Sequence, residues 1–365
     1  MWCKTSSILI SFIVIAISGG FCLGFCPEAD LTGDCFVDYE DFAVMAAQWL
    51  TGDPCDPCIP PDMVQIPGGT FEMGDNLGDG WSVELPVHTV TLDSFYMGKY
   101  EMTNGQYCDY LNSALAQGLI AVTSGVVYKA GSGYAYCDTH SSSGYSQIDY
   151  NDLTETFSVK TKSERDMSND PMVMVSWCGA VAYCNWRSEG EGYERCYDPC
   201  DPNWPCDFSK KGYRLATEAE WEYAARGVLS GRRFPWGDTI THSQANYYAC
   251  PSRYTYDVNP TEGFHPAWGD VYPYTSPGGS FAANNYGLYD MAGNVWEWCN
   301  DWYLGSYYSS SPTNNPTGPL GGSSRVLRGG GWRASADCCR VAYRFDLTPF
   351  HRGLSVGFRL VLDFQ

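Results

Sequence analysis

The feature that most limits what this chain can fold into is its mixture of aromatic side chains with many glycines and prolines. Phe, Trp and Tyr make up 15% of the 365 residues, and the chain contains 39 Gly and 21 Pro. Only 18% of the residues are charged, against roughly 25% in an average soluble domain. This composition excludes a coiled coil, a helix bundle and a disordered chain. It predicts a loop-rich protein in which aromatic side chains anchor irregular segments.

The charge balance limits the classes of partner. The sequence has 22 Lys and Arg against 42 Asp and Glu, a formal net charge of −20. Nucleic-acid binding needs a basic surface, so this balance excludes a role in binding DNA or RNA. Docking on anionic membranes is disfavoured for the same reason. An acidic surface instead favours the binding of cations.

Residues 1–24 are typical of a secretory signal peptide. Lys4 supplies the positive start, an apolar run spans Ile8–Ile17, and small residues follow at Gly19 and Gly24. The run is too short for a comfortable membrane span, and an uncleaved anchor is the alternative. We therefore expect a protein that is secreted or lies at the exterior of the cell envelope, with no membrane span in its mature chain.

Export would place the cysteines in an oxidising compartment, where disulfides form. Two of the 17 cysteines, Cys3 and Cys22, belong to the signal segment, so an odd number remains. At least one thiol is then unpaired or pairs with another molecule. The cysteines of the Pro-rich segments are typical of loop staples rather than zinc ligands, because no histidine is spaced to complete a metal set. These cysteines are Cys55, Cys58, Cys196, Cys200 and Cys206.

An acidic segment, residues 25–50, carries oxygen side chains at the spacing of a calcium-binding loop. The residues at loop positions one, three, five, nine and twelve are Asp30, Thr32, Asp34, Asp38 and Asp41. An amphipathic helix follows, so the segment resembles one half of a dockerin, which implies docking in an extracellular assembly through residues 26–50. Cys35 replaces the glycine expected at position six, and only one repeat is present. An acidic helix without an ion is the alternative.

Residues 63–365 are predicted to form the main domain, after a Pro-, Asp- and Cys-rich linker over residues 51–62. Sequence patterns predict strands within Met63–Gly74 and Glu84–Leu92. Residues 118–160 are rich in Ser, Gly and Tyr and are predicted to be surface loops. The predicted helices are one from the capping box at Thr103 to about Asn112, one over Pro171–Glu189, and one over Glu218–Arg226 after the capping box at Thr217.

An ordered series of motifs in this domain resembles the formylglycine-generating enzyme family, also called the sulfatase-modifying factor domain. The matching stretches are Met63–Gly74, Pro86–Asn112, Asp170–Ser188, Tyr213–Arg226, Pro235–Gly237, Tyr286–Trp298, Arg325–Trp332 and Gly357–Leu360. Each piece alone is unspecific, but their order along the chain is very specific. The resemblance implies an α+β fold, a loop-rich C-type-lectin-like domain with little regular secondary structure.

The segment Asp290–Glu297 offers hard oxygen ligands of the kind that calcium prefers. Asp290 and Glu297 supply carboxylates, and the carbonyls of Gly293 and Val295 lie on the side to which Glu297 points if the segment is extended. The resemblance also implies calcium binding at this motif. A buried turn whose acids pair with Arg is the alternative. The resemblance implies a second structural calcium site formed by Asn246, Tyr247, Asp270 and Tyr272.

The resemblance further implies copper chemistry, in which Cu(I) is held between two thiolates five residues apart and a substrate cysteine is oxidised by O₂. Thiolates are the soft ligands that Cu(I) prefers. The second thiolate corresponds to Cys339, but the first position is Ala334, and the active-site serine is replaced by Gly331. Cys338 is unsuited as a substitute, because adjacent cysteines point apart in most backbones. A Cys338–Cys339 disulfide, or pairing with another cysteine such as Cys299, is the alternative, and no base near Cys339 is visible in the sequence.

The loss of one thiolate within an intact framework favours a binding protein, a pseudoenzyme of the family. Proteins with diversified binding faces use the same domain and the same C-terminal segment. The residues expected on the ligand-facing surface are Trp296, Trp332, Arg333, Ser335, Asp337, Arg340, Phe350 and His351. The sequence therefore predicts the binding of a protein, peptide or other ligand. A copper-dependent oxidase that converts a sulfatase-type cysteine to formylglycine, and a structural component of an extracellular assembly, are the alternatives.

Overall fold

The computed structural model describes residues 60–201, 203–270 and 272–363. One compact unit of the chain begins at Pro61. The predicted signal peptide, the acidic segment with its calcium-loop residues and the linker up to residue 59 lie outside the described residues. Within these residues, every helix is too short or too polar to cross a lipid bilayer.

Short strands and a few helices make up the regular structure. The strands are β1 (Met63–Ile66), β2 (Gly69–Met73), β3 (His88–Leu92), β4 (Phe95–Gly98), β5 (Ile120–Thr123), β6 (Val126–Lys129), β7 (Ala135–Asp138), β8 (Ile148–Asn151), β9 (Thr156–Val159), β10 (Thr161–Lys162), β11 (Arg165–Asp166), β12 (Tyr213–Leu215), β13 (Trp296–Trp302), β14 (Arg325–Arg328), β15 (Phe345–Leu347), β16 (Val356–Gly357) and β17 (Leu360–Leu362). The α-helices in the described ranges are α1 (Asn104–Ala116), α2 (Trp177–Gly190) and α3 (Glu218–Arg226).

Two four-stranded sheets form the framework of the described chain. The first is antiparallel, with strand order β1-β4-β17-β12. The second has the order β15-β14-β13-β16 and includes the parallel pair β13–β16. Smaller sheets join β2 to β3, β5 to β6 and β7, β8 to β9, and β10 to β11. Mixed sheets with few helices agree with the predicted loop-rich α+β class.

The predicted starts of two helices are confirmed by their caps. Thr103 and Thr217 each accept a side-chain hydrogen bond from the backbone amide three residues further on, and the backbone N–H of each threonine donates to the side-chain oxygen of Gln106 or Glu220. α3 ends at Gly227, whose φ of +53° is the left-handed conformation that glycine adopts without strain. These ends depend only on residues that are close in sequence, which is why the sequence predicts them.

Two predicted helix bounds were wrong. α1 continues beyond Asn112 to Ala116. The stretch from Pro171 to Ser176 is not helical, because its backbone bonds to distant segments; the Met172 N–H, for example, donates to the Met102 carbonyl at 2.7 Å. α2 therefore begins only after this stretch.

The prediction of surface loops over residues 118–160 was also wrong. The five strands β5 to β9 lie there. Their inward side chains are buried, among them Ile120, Val127 and Phe157. Asn112 of α1 fixes β9, since its Nδ2 donates to the Phe157 carbonyl at 3.0 Å and its Oδ1 accepts from the Phe157 N–H at 2.8 Å. The polar composition of these strands masks the alternation of buried and exposed side chains, so the sequence pattern did not reveal them. Packing against α1 stabilises them in the fold.

Aromatic side chains anchor the interior, as the composition predicts. Trp177, Trp221 and Trp298 are each almost completely buried. The Arg325 guanidinium lies between the rings of Trp177 and Trp302, with its central carbon 3.7 and 3.6 Å from the two ring centroids. A cation between two aromatic faces in a buried setting is a strong contact. It ties α2 to the second sheet.

We expect Asp301 to make stability fall as the pH rises. Burial raises the pKa of this carboxyl to about 8, and the negative charge of Glu218 adds to the rise, whereas the unfolded chain ionises near 3.8. Between those two pH values the unfolded state loses its proton first, so ionisation progressively disfavours folding. Asp301→Asn keeps an acceptor for the Glu218 N–H, 3.0 Å away. The variant should therefore have a higher Tm than the wild type at pH 8.

The Tm of both proteins should be measured from pH 4 to pH 8 by calorimetry. The difference in Tm between the variant and the wild type is expected to grow as the pH rises. The exposed Asp152 provides the matched control, and Asp152→Asn should follow the wild type. Parallel curves for Asp301→Asn and the wild type would contradict the assignment.

Candidate functional site

The predicted calcium motif begins with a turn, Asp290 to Asn294, in which several residues have positive φ values. Asp290, Gly293 and Asn294 have φ values of +57°, +86° and +59°. The Asn294 N–H donates to the Asn246 carbonyl at 2.7 Å. A Cβ on Gly293 would lie 2.5 Å from that carbonyl oxygen, so only glycine fits there. The fold thus brings segments of the two predicted calcium sites together.

Glu297 is part of a buried ion pair. It accepts hydrogen bonds from Arg359 at 2.7 and 2.6 Å and one from the Trp221 indole at 2.7 Å. Asp290 lies in the same region and accepts a hydrogen bond from the Gly279 N–H at 2.8 Å. Both oxygens of Glu297 therefore face donors. This is the arrangement that the sequence analysis gives as the alternative to calcium ligation.

Glu101 belongs to this cluster and was missed by the sequence analysis, because a single Glu before a helix forms no recognisable motif. Its carboxylate accepts from the Val295 N–H at 3.1 Å and from the Asn294 Nδ2 at 2.6 Å. Burial raises the pKa of Glu101 well above its usual range, and the Asp290 charge adds to the rise, whereas Arg359 lowers it. Burial also raises the pKa of Asp290 to about 6. The carboxyls of Glu101, Asp290 and Glu297 lie around the guanidinium of Arg359, so this cluster has more acidic than basic groups.

The side-chain oxygen of Asn246 suits the second predicted calcium site. Asn246 is 1% exposed, its Nδ2 donates to the Tyr274 carbonyl at 2.7 Å, and its Oδ1 has no hydrogen-bond partner among the described residues. A buried amide oxygen without a donor is costly unless a positive group faces it. Amide oxygens are also calcium ligands. The donor chemistry at Asn246 therefore fits the ion.

In the other residues of the second predicted calcium site, the backbone carbonyls already accept hydrogen bonds and the carboxylate is exposed. The Tyr247 carbonyl accepts from His242 Nε2 at 3.1 Å, and the Tyr272 carbonyl accepts from the Lys162 ammonium. Asp270 is exposed. Within the described ranges, no group of three or more His, Cys, Asp and Glu side chains is placed to hold a metal ion. A cation at this site would depend on amide and carbonyl oxygens.

Cys339, the predicted catalytic thiol, is fully buried in an apolar cluster. Its neighbours in that cluster include Phe234, Tyr247 and Ala292. Burial raises the pKa of the thiol well above its usual value, and a hydrogen bond from the Gly293 N–H only partly opposes this effect. A buried neutral thiol is a poor nucleophile and a poor ligand for a soft metal.

Ala334 stands where the resemblance described above implies a second thiolate beside Cys339. Its carbonyl accepts from the Tyr248 N–H at 2.9 Å, so the backbone there is fixed without a thiol. Cys338 is half-buried, and burial raises the pKa of its thiol to about 12. Cys338, Cys339 and Cys299 carry free thiols in this structure, so neither alternative disulfide is formed.

Three residues predicted on the ligand-facing surface lie in the interior, so that part of the prediction was wrong. Trp296, Trp332 and Arg340 are buried. Arg340 is held inside because its two terminal nitrogens donate to Glu84 at 2.7 and 2.8 Å. The partners are 256 residues apart, so no local pattern could reveal the pair.

The remaining residues of that set lie closer to solvent. Arg333, Phe350 and His351 are exposed. Ser335 and Asp337 are half-buried and joined by a hydrogen bond of 2.7 Å. Their role in binding stays a prediction.

An aromatic surface that the sequence analysis missed covers the buried Trp332. The ring centroids of Phe264, Tyr272 and Tyr274 lie 5.8, 5.8 and 5.1 Å from that of Trp332. Tyr272 stacks on Tyr274 at 4.1 Å, and Tyr145 packs edge-on against Tyr272 at 5.8 Å. Tyr145, Phe264 and Tyr272 remain 39%, 37% and 48% exposed. We name Tyr145, Phe264, Tyr272 and Tyr274 the aromatic platform. Only the Tyr-Pro-Tyr run at 272–274 marks it in the sequence.

Comparison with known proteins agrees with the fold and the motifs. The sulfatase-modifying factor enzyme 1-like domain matches residues 54–364. The formylglycine-generating enzyme of Streptomyces coelicolor is 33% identical over 323 residues, covering 82% of this chain and 88% of that protein. The inactive C-alpha-formylglycine-generating enzyme 2 of Mus musculus is 29% identical over 316 residues, covering 82% of this chain and 85% of that protein.

A solved structure also has a fold similar to that of this chain. Treponema denticola variable protein 1 is 26% identical and superposes with a TM-score of 0.57, covering 82% of this chain and 94% of that one. The length of the sequence match, the motif order and the mixed sheets lead to one family. The chain belongs to the sulfatase-modifying factor domain family, that of the formylglycine-generating enzymes.

Proposed function

We propose that this protein is a binding member of its family that lacks copper-dependent cysteine oxidation. The observation that carries the proposal is the chemistry of the two residues at which the resemblance implies copper ligands. One side is Ala334, and the other, Cys339, is a fully buried thiol whose pKa is raised by burial. A two-thiolate Cu(I) site needs two accessible, deprotonated sulfurs. The residues present therefore do not fit a two-thiolate Cu(I) site.

The aromatic platform supports the binding half of the proposal. Its rings are partly exposed and are braced from below by Trp332, whose indole donates to the Leu354 carbonyl at 3.2 Å. Rigid, partly exposed tyrosines supply large contact area at low cost in side-chain entropy, and such residues dominate binding energy where proteins meet ligands. Arg333 and His351, exposed in the segment after Trp332, provide polar groups. We place the ligand-binding surface here, in a C-type-lectin-like domain.

The oxidase alternative is tested by titrating the purified protein with Cu(I) against a competing chelator. We expect no stoichiometric tight binding and no oxygen consumption with a cysteine peptide. Ala334→Cys, which restores the missing thiol, and Cys339→Ala are the two comparison variants. Tight binding by the wild type that Cys339→Ala removes would overturn the proposal.

The binding half is tested by screening peptide and glycan arrays. A ligand of this surface should lose at least ten-fold in affinity in the Tyr272→Ala and Phe264→Ala variants, because each removes an exposed ring. Leu320→Ala provides the control, since Leu320 is fully exposed and lies outside the platform. No ligand at all, or ligands bound equally by the platform variants, would contradict the proposal.

We also propose that calcium stabilises the domain through Asn246. A ligand that binds only the folded state at 100 times its Kd adds about 2.7 kcal/mol to the free energy of unfolding. Calcium should therefore raise the Tm of the wild type above its value in a chelator. Asn246→Ala should lose most of that increase, because it removes the unpartnered oxygen, whereas the exposed-site variant Asn151→Ala should keep it. An equal calcium response in Asn246→Ala and the wild type would exclude this oxygen as a ligand.

Export, and assembly with an extracellular partner through residues 26–50, are proposals that rest on the sequence of the first 50 residues. Accessibility of the intact protein outside the cell tests the first. Binding of residues 26–50 to another exported protein tests the second.

A further inference from the structure

One lysine of the β10–β11 hairpin reaches the aromatic platform. The Lys162 ammonium lies 3.5 Å from the Gly144 carbonyl and donates to the Tyr272 carbonyl. Gly144 precedes Tyr145, so the charge lies beside the backbone of two platform tyrosines. The rings of Tyr145 and Tyr272 pack edge-on, with their centroids 5.8 Å apart. The hairpin therefore places a positive charge beside the platform.

Among the described residues, Lys162 has no carboxylate partner, unlike the basic residues on either side of it. Lys160 pairs with Asp149 at 2.9 Å, and Arg165 pairs with Asp170 at 2.8 Å. Both contacts of the Lys162 ammonium in this part of the chain are with backbone carbonyls. An ammonium has three N–H donors. The hairpin thus offers one uncompensated positive charge and one remaining donor.

The surroundings of Lys162 are unfavourable for a positive charge without an anion. Burial, together with the charges of Lys160 and Arg165, lowers the pKa of the Lys162 ammonium to about 8, and Asp149 opposes this effect. Burial and like charges both disfavour the charged form of a lysine. At pH 7 the group is still protonated, so a bound anion would stabilise it. This local excess of positive charge lies in a chain whose net charge is −20.

The shape of the platform favours a ligand with a flat apolar face. Tyr272 and Tyr274 stack with ring centroids 4.1 Å apart and planes only 18° from parallel. Tyr272 is 48% exposed. Exposed flat rings suit the C–H face of a sugar ring, whereas an apolar peptide side chain binds best in a pocket that surrounds it. A carboxylate on that sugar is the complement of the remaining Lys162 donor, because charge-assisted hydrogen bonds are the strong ones.

We propose that the aromatic platform and Lys162 together bind a carbohydrate that carries a carboxylate, with a sugar ring on Tyr272 and the carboxylate on the Lys162 ammonium. This inference rests on the proposed binding function and adds the class of ligand to it. Asp270 disfavours such a ligand, since it is exposed and its charge acts on Tyr274. Removing that charge therefore provides a variant with the opposite effect.

The test uses the full chain with tetragalacturonate, an oligosaccharide with one carboxylate on each ring, and with its methyl ester as the uncharged counterpart. Titration calorimetry at pH 7 should show that the acid binds about ten-fold more tightly than the ester, because only the acid forms the charge-assisted contact. This preference should shrink as salt is added, since salt screens exposed charges.

Substitutions separate the charge from the rings. Lys162→Gln should remove the preference for the acid and leave the affinity for the ester unchanged, whereas Tyr272→Ala should weaken the binding of both sugars about ten-fold. Asp270→Asn should tighten the binding of the acid alone. Lys211→Gln is the matched control, because Lys211 is an exposed lysine of the loop between α2 and β12.

Equal affinity of the wild type for the acid and the ester would overturn the ligand class. If Tyr272→Ala then weakened both sugars, the proposed binding function would still stand. Tighter binding of a hexaglutamate peptide than of the acid, or no binding of either sugar, would also overturn the inference, and the array screen decides separately whether the platform binds another ligand. The comparison of the two sugars needs only the wild type, so the test stands even if Lys162→Gln does not fold.

Discussion

Replacing Glu222 with glutamine should cost about 3–5 kcal/mol of unfolding free energy, which is the usual loss when one partner of a buried ion pair is removed. Glu222 is fully buried in α3. It accepts hydrogen bonds from the Gly74 N–H at 2.9 Å, from Arg226 at 3.0 and 2.6 Å, and from Arg328. Glutamine has a similar shape but leaves two buried guanidiniums without their shared charge. With total stabilities of about 5–15 kcal/mol, such a loss is a large fraction of the whole.

Urea unfolding at pH 7 measures this loss. The control is Glu189→Gln, because Glu189 pairs with Arg195 on the surface, where both side chains are about half exposed. An exposed pair contributes only about 0–1 kcal/mol. Equal effects of the two substitutions would show that the buried network does not stabilise the fold.

The pH dependence of unfolding gives a second readout for Glu222. Burial raises the pKa of this carboxyl, but Arg226 and Arg328 outweigh burial, so its pKa in the folded protein is lowered. A carboxyl whose pKa is lower in the folded than in the unfolded protein stabilises the fold at pH values above its pKa in the unfolded chain. That stabilisation is lost as the pH falls through its pKa in the folded protein. Glu222→Gln should remove that part of the acid sensitivity.

Replacing Arg359 with methionine should be at least as damaging. Arg359 is almost fully buried, and it donates to both oxygens of Glu297 as well as to the Gly98 and Tyr289 carbonyls, at 3.1 and 2.9 Å. Without it, the Glu101–Asp290–Glu297 cluster loses its cation. A loss of several kcal/mol follows from stranding buried charge. Thermal unfolding in a chelator measures the loss, with Arg232→Met, from an exposed pair, as control.

Two additions to the Arg359→Met experiment separate charge from shape. A second substitution, Glu297→Gln, should recover part of the lost stability, because it removes the stranded carboxylate. Calcium should also recover part of it, since a divalent cation can replace the guanidinium among oxygen ligands. If neither addition changes the Tm of Arg359→Met, the substitution acts by removing packing alone.

Sequence patterns located the parts of this protein that depend on neighbours along the chain. The capping boxes at Thr103 and Thr217 join residues three positions apart, so the sequence alone predicts where α1 and α3 begin. Gly293 was singled out as part of a motif, and its φ of +86° against the Asn246 carbonyl supplies the reason for a glycine there. The family followed from the order of such motifs.

The candidate binding surface depends on contacts that no local pattern encodes. Tyr145 is distant in sequence from Phe264 and Tyr274, and Trp332 is distant from all three, so only the fold brings these residues into one surface. Arg340 illustrates the opposite error. A charged residue next to predicted surface positions was expected to be exposed, but Glu84 pairs with it in the interior.

The sequence by itself determined the family, the loop-rich α+β class and two of the helix starts, because each of these is written in residue types at fixed short spacings. The tertiary structure alone decided the burial of Cys339, the Glu297–Arg359 pair, the strands of residues 118–160 and the aromatic platform. These features are set by contacts between residues distant along the chain. Such contacts form only when the whole domain closes, and their free energy then overrides local preference.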